Sequence, residues 1–123
     1  MNMAPEPGRR RLPDRRDNRT RSIVWRGPSG DTHAIEVTVG FFAPGAAGEV
    51  FASVRKSGSV LAALLEDGCV LASHLRQRGV TFAVLAARMG HDGNGRATSP
   101  MGAVLRCAAR IEAGLAEPGE EAA

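Results

Sequence analysis

The sequence predicts an α+β domain on three observations. Alternating apolar and polar residues fill three short stretches in the first half, and apolar residues recur at helical period through three stretches in the second. Clusters rich in Gly and Pro separate the stretches. Strands grouped ahead of helices argue for an antiparallel sheet covered by helices rather than a parallel nucleotide-binding sheet. The expected architecture is a three-stranded antiparallel meander covered on one face by a long helix and two shorter helices. The chain's 123 residues suffice for one core. They divide into a basic arm over residues 1–20, expected to be disordered, an α+β domain over 21–116, and an acidic tail over 117–123, also expected to be disordered.

The first strand is expected over Arg21 to Arg26 and stops at Gly27-Pro28-Ser29-Gly30, a strong turn signal. From His33 the alternation is cleaner, with Ile35, Val37, Val39 and Phe41 on one face and Glu36, Thr38 and Gly40 on the other. Residues 44–48 turn the chain again, and Glu49 to Arg55 make the third strand with Val50, Ala52 and Val54 inward. A long helix follows, with Ser57 as its expected N-cap. Leu61, Leu64, Leu65, Gly68, Leu71, Ala72 and Leu75 form one broad apolar stripe, expected to cover the inner face of the meander. Gly68 would let this helix lie close to a strand or another helix, and Gly79 sits where a left-handed C′ residue belongs. Thr81 caps a short second helix, with Val80 and Leu85 placed to close as a hydrophobic staple. Residues 91–96 must be loop. Ser99 and Pro100 start a last helix with Met101, Val104, Ala108, Ile111 and Leu115 on one edge, ended by Pro118-Gly119.

Charge is unevenly spread. Seven arginines stand against Glu6, Asp14 and Asp17 up to Arg21, an excess of +4, whereas Glu117, Glu120 and Glu121 give the tail −3. An arm of this kind reads either as a solvated leader or as a phosphate-neutralising segment for nucleic acid, through Arg9, Arg10, Arg11, Arg15 and Arg16. Cys69 and Cys107 both fall in helical patterns without a close pair, which argues against a structural disulfide and for a reducing cytoplasm. No apolar run is long enough for a membrane span, and the start of the chain has Arg where a signal peptide would be apolar, so a soluble protein is expected with no membrane partner.

Chemistry points to one stretch. Lys56-Ser57-Gly58-Ser59 combines the only lysine, two hydroxyls and the free N–H groups of a helix start, a set suited to a phosphate or carboxylate. It lacks the glycine spacing of a Walker loop, and from the residues alone a well-capped helix beside a solvated lysine is the plainer explanation. His33, His74, His91, Cys69 and Cys107 are too scattered for a zinc site. Asp92-Gly93-Asn94-Gly95 is half a calcium loop with Arg96 where an oxygen ligand belongs. Glu66 and Asp67 point apart on a helix, and Ser73 and His74 cannot face each other, with Ser73 expected to bond a carbonyl one turn back. No metal site and no catalytic set is expected from these residues.

The order Leu12-Pro13-Asp14-Arg15-Arg16, Val37-Thr38-Val39-Gly40, Gly48-Glu49-Val50-Phe51, Lys56-Ser57-Gly58-Ser59, Leu71-Ala72-Ser73-His74-Leu75, Gly79-Val80 resembles the TSCPD domain over roughly residues 12–108. That domain occurs in small stand-alone proteins, some of them phage-associated, and at the C-terminus of adenosylcobalamin-dependent class II ribonucleotide reductases. The chain departs from the family's name-giving signature: Thr98-Ser99-Pro100-Met101-Gly102 has neither its cysteine nor its aspartate. The resemblance implies a link to ribonucleoside-diphosphate reductase and deoxyribonucleotide synthesis. A chain of this size cannot hold a reductase active site, so the expected role is an accessory module that binds a nucleotide or a reductase subunit near Lys56. Adenosylcobalamin would then belong to the reductase partner, with no cofactor bound by this chain alone. Two other readings stand beside it: a phage-associated or nucleic-acid-binding protein using the arm, and an interaction domain whose helices form a homodimer.

Overall fold

A computed structural model describes residues 8–55 and 59–117. It contains strands β1 (Asn18–Arg26), β2 (Thr32–Ala43) and β3 (Ala46–Val54), then helices α1 (Val60–Gln77), α2 (Phe82–Arg88) and α3 (Pro100–Ala113). The strands form one antiparallel sheet in the order β1-β2-β3, which is the expected α+β meander. Ile35, Val37, Val39 and Phe41 of β2 are buried in a core shared with Leu65, Phe82, Val104 and Ile111 of the helices. On the opposite face Val24 and Phe51 stay exposed, while Gly40 and Glu49 are covered where the arm crosses it.

Local signals explain the caps. Thr81 and Ser99 accept from the N–H groups of Val84 and Gly102, with Pro100 at the first turn of α3. At the end of α1 the Gly79 N–H donates to Arg76 O and the Val80 N–H to Leu75 O, a Schellman closure with Gly79 at φ +99°. Gly68 serves the role expected of it. A Cβ there would stand 2.7 Å from the Met101 sulfur, so α3 approaches α1 at this point because the glycine leaves room.

Several expectations are corrected. The N-cap of α1 is Ser59, whose Oγ accepts from the Ala62 N–H; Ser57 lies outside the described residues. β1 begins at Asn18, not Arg21, because residues ahead of Arg21 continue the antiparallel pairing with Val39 and Gly40. The turn before β3 shrinks to Pro44-Gly45, since Ala43 already pairs with Ala46. α3 stops at Ala113 because Gly114 adopts a left-handed cap, which leaves Leu115 beyond the helix and exposed.

Within the described part of the arm, residues 8–17, individual arginines contact the domain. The Arg10 N–H donates to Gln77 O at 2.8 Å, and the Arg10 guanidinium lies 4.2 Å from the centre of the Phe42 ring. Arg16 forms an ion pair with Glu49, which lies across Gly40 where a Cβ would strike its carboxylate. The Arg16 guanidinium is held above its ordinary pKa, chiefly by the hydrogen bond to Glu49.

The main correction concerns α1. Its buried residues are Ala62, Leu65, Cys69, Ala72, Ser73 and Gln77, whereas Leu64, Leu71 and Leu75 face solvent. The helix lies along β3 and supplies hydrogen-bonding groups to that strand's outer edge, while α3 reaches β2 and β1. Ser73 Oγ accepts from the Val50 N–H at 2.9 Å and donates to Val50 O at 3.2 Å. Gln77 Nε2 donates to Gly48 O at 3.0 Å, and the Ala52 backbone hydrogen-bonds Cys69. Four residues of helix advance about 6 Å and two residues of strand advance about 6.8 Å, so the 69-73-77 series matches the 52-50-48 series rung for rung. A leucine face could not satisfy those backbone groups.

Among the described residues no helix is long and apolar enough to cross a membrane.

Candidate functional site

The register shows what each strand edge offers. The Phe41 N–H donates to Asp17 O and the Gly27 N–H to Asp31 O, so odd-numbered residues of β1 bond to β2. Asn18, Thr20, Ser22, Val24 and Arg26 therefore direct their N–H and C=O groups to the outer edge, where no further strand of the described residues lies.

A cleft of about 800 Å³ opens beside that edge. Its floor is the end of β1 from Ile23 to Arg26, its far wall is Ala103, Arg106, Cys107 and Arg110 of α3, and residues of the 92–98 loop close one end. That size falls within the usual range for small-molecule sites. Arg26, Arg96, Arg106 and Arg110 face Asp92 and Glu117 around it, a balance that favours an anion.

Each wall has a local cause. Trp25 Nε1 donates to Ala97 O at 3.1 Å, which ties the loop to β1, and the indole stacks on His33 with ring centres 5.8 Å apart. His33 Nε2 lies 2.6 Å from Asp31 Oδ2. Hydrogen bonds from Ser29 and then His33 hold the Asp31 carboxyl below its ordinary pKa. The loop folds on itself: Asp92 Oδ1 accepts from the Asn94 N–H at 2.8 Å and the Arg96 N–H at 2.9 Å, and His91 bridges Ala97. The Arg96 and Asn94 amides lower the Asp92 pKa, so this carboxylate is occupied by its own backbone rather than presented to a cation.

The arginines differ in what they are free to do. Arg106 donates to Gly95 O at 2.6 Å, and Arg110 donates through two nitrogens to Ala116 O. Arg21, next to the cleft, bonds Leu115 O and pairs with Glu117. Arg26 and Arg96 are exposed, and among the described residues neither guanidinium has a hydrogen-bond partner. The arrangement presents to one volume two guanidiniums without hydrogen bonds among the described residues, of which Arg96 interacts electrostatically with Asp92, two anchored ones, an indole and a strand edge.

The expected site residues fall elsewhere. Lys56, Ser57 and Gly58 lie outside the described residues, and Ser59 is committed as the α1 cap. Of the arm arginines, Arg9 donates to Gln77 Oε1 at 2.6 Å, Arg10 sits over Phe42 and Arg16 pairs with Glu49. Arg11 and Arg15 remain exposed, and Arg15 borders a separate hollow of about 320 Å³ with Asp17 and Phe42. Three of the five are thus spent on holding the arm. The cleft was not anticipated, because its cations come singly from β1, a loop and a helix; the one sequence signal is Arg106 and Arg110 at a four-residue step.

Among the described residues no group of three His, Cys, Asp or Glu side chains converges as a metal site. Cys69 and Cys107 are both buried and no disulfide joins them, and burial pushes the Cys69 thiol up to about 12. No family model, no curated protein and no solved structure matches the chain.

Proposed function

We propose that this protein is a small accessory binding module whose cleft between β1 and α3 takes a phosphate-bearing ligand of nucleotide size. The observation that carries the reading is the pair of guanidiniums, Arg26 and Arg96, that make no hydrogen bond among the described residues and border, with Trp25, a cleft of about 800 Å³. Guanidinium matches phosphate geometry in a bidentate fashion, and an indole edge offers a surface for a base. Arg106 and Arg110 add positive potential while their backbone bonds keep the wall in place. The nucleotide class comes from the resemblance to TSCPD domains, and so does a ribonucleotide reductase as the protein served. The site in this reading is the cleft rather than the Lys56 junction, because the described end of that junction, Ser59, is occupied in capping.

Trp25 is the only tryptophan of the chain, which makes its fluorescence a direct reporter. Titration with nucleoside di- and triphosphates is expected to change the emission saturably, and Arg26→Ala with Arg96→Ala is expected to weaken that binding by at least about tenfold. An unchanged emission at millimolar nucleotide, or equal affinity in the double variant, would remove this assignment.

A further inference from the structure

The outward face of α1 carries a second feature, independent of the cleft. Val60, Leu64, Leu71 and Leu75 are 76%, 66%, 67% and 41% exposed. At about 100° per residue they fall within about 60° of one another, on the side of the helix away from Cys69, Ser73 and Gln77, which hydrogen-bond β3. A helix whose inner face is already satisfied has no intramolecular use for a second apolar stripe.

The spacing of the stripe identifies its occupant. Val60 and Leu64 are separated by the same step as Leu71 and Leu75, so the series reads the same in both directions about a midpoint between Asp67 and Gly68. Such a series is self-complementary when two helices meet antiparallel: Val60 faces Leu75 of the second copy, and Leu64 faces Leu71. A twofold contact requires the same patch on both partners, which a palindromic stripe provides. At roughly 100 Å² a side chain the stripe offers roughly 400 Å² per copy, within the about 300–600 Å² of a typical monomer's largest apolar patch, which is often functional. Pairing removes roughly 800 Å² of apolar surface, and the exposed flanks at Ala63 and Asp67 bring the total toward the about 1,200 Å² of the smaller specific interfaces.

We propose that two copies of this chain pair through the outward face of α1, antiparallel about a twofold axis between Asp67 and Gly68. The two Asp67 side chains lie on the same flank of the pair beside the axis, so they repel each other and moderate the affinity.

Sedimentation at about 0.1 mM is expected to give close to twice the 12.9 kDa chain mass, and Leu64→Glu with Leu71→Glu to return the monomer with an unchanged circular dichroism spectrum. Asp67→Asn is expected to tighten the dimer by up to about fivefold. Cross-linking tests the register: Val60→Cys with Leu75→Cys is expected to give a disulfide-linked dimer on oxidation, while either substitution alone does not. Cys69 and Cys107, at 3% and 2% exposure, do not compete. A chain that stays monomeric, a dimer indifferent to the two glutamates, or a dimer cross-linked by Val60→Cys alone would each overturn the proposal, the first leaving the stripe to another polypeptide.

Discussion

The two edges of the sheet are treated in opposite ways. Along β3, α1 answers the outward backbone groups with Cys69, Ser73 and Gln77, and the strand lies buried from Ala47 to Val50. Along β1, the outward groups of alternate residues meet no strand among the described residues, and the cleft lies against them. Both edges belong to strands of nine residues, so length does not separate them. What separates them is the next element. A helix that follows β3 directly can be laid along that strand, whereas α3 reaches β1 only after the 90–98 loop and leaves space between. An edge closed by side chains is structural, and an edge left open beside arginines is where a ligand can be held.

The largest effect is expected where the closed edge is broken. Ser73→Ala removes the hydroxyl without adding bulk at this buried site, which leaves both the N–H and the C=O of Val50 buried without a partner among the described residues. At about 1–3 kcal/mol for each unsatisfied group, with some relief from relaxation, the loss is expected near about 3 kcal/mol in urea unfolding. Ser22→Val on the outer face next to the open edge is expected to stay within about 0.5 kcal/mol of wild type. Equal effects would mean that the helix ladder does not distinguish the two edges.

The same contrast explains what could be read from sequence. The alternation of β2, the caps at Thr81 and Ser99, the closure at Gly79 and the close approach at Gly68 each follow from one residue and its neighbours, and each lies where its local chemistry puts it. The rotation of α1 did not. The apolar stripe Leu61, Leu64, Leu65, Gly68, Leu71, Ala72 and Leu75 contains two residues that are buried, Leu65 and Ala72, but also the exposed Leu64, Leu71 and Leu75; a helix laid on a strand edge must present hydrogen-bonding groups there, and the inward set includes Cys69, Ser73 and Gln77. That requirement belongs to the partner strand and leaves no mark in the helix's own periodicity. The arm's contacts are illegible for a related reason: Arg9, Arg10 and Arg16 meet Gln77, Phe42 and Glu49, which are distant in sequence. The cleft is assembled from residues on three separate elements, and no spacing rule joins them.

A proline pair tests the parity of β1 at intermediate magnitude. The Arg19 position bonds toward β2 at Val39, whereas Ser22 turns its N–H outward. Arg19→Pro is expected to cost about 2 kcal/mol through the lost ladder bond, and Ser22→Pro less than about 1 kcal/mol. The reverse order in thermal unfolding would place the open groups on the odd residues and detach the cleft from the free edge.

The smallest effect at neutral pH comes from the thiol rung of the closed edge. Burial raises the folded-state pKa of Cys69 from 9.0 to about 12, outweighing the hydrogen bond from Ala52 that lowers it. The protonated thiol is therefore favoured by folding, and its contribution is fully present below pH 9.0. Between pH 9.0 and about 12 the unfolded chain releases a proton that the folded chain retains, so unfolding free energy is expected to fall with rising pH by one proton's slope. Cys69→Ala removes that slope while leaving the Ala52 N–H unanswered, and native Cys69 resists thiol reagents that label it at once in urea. Rapid labelling of the folded protein at pH 8 would mean that α1 lifts from β3, and the difference between the two edges would then be one of degree rather than of kind.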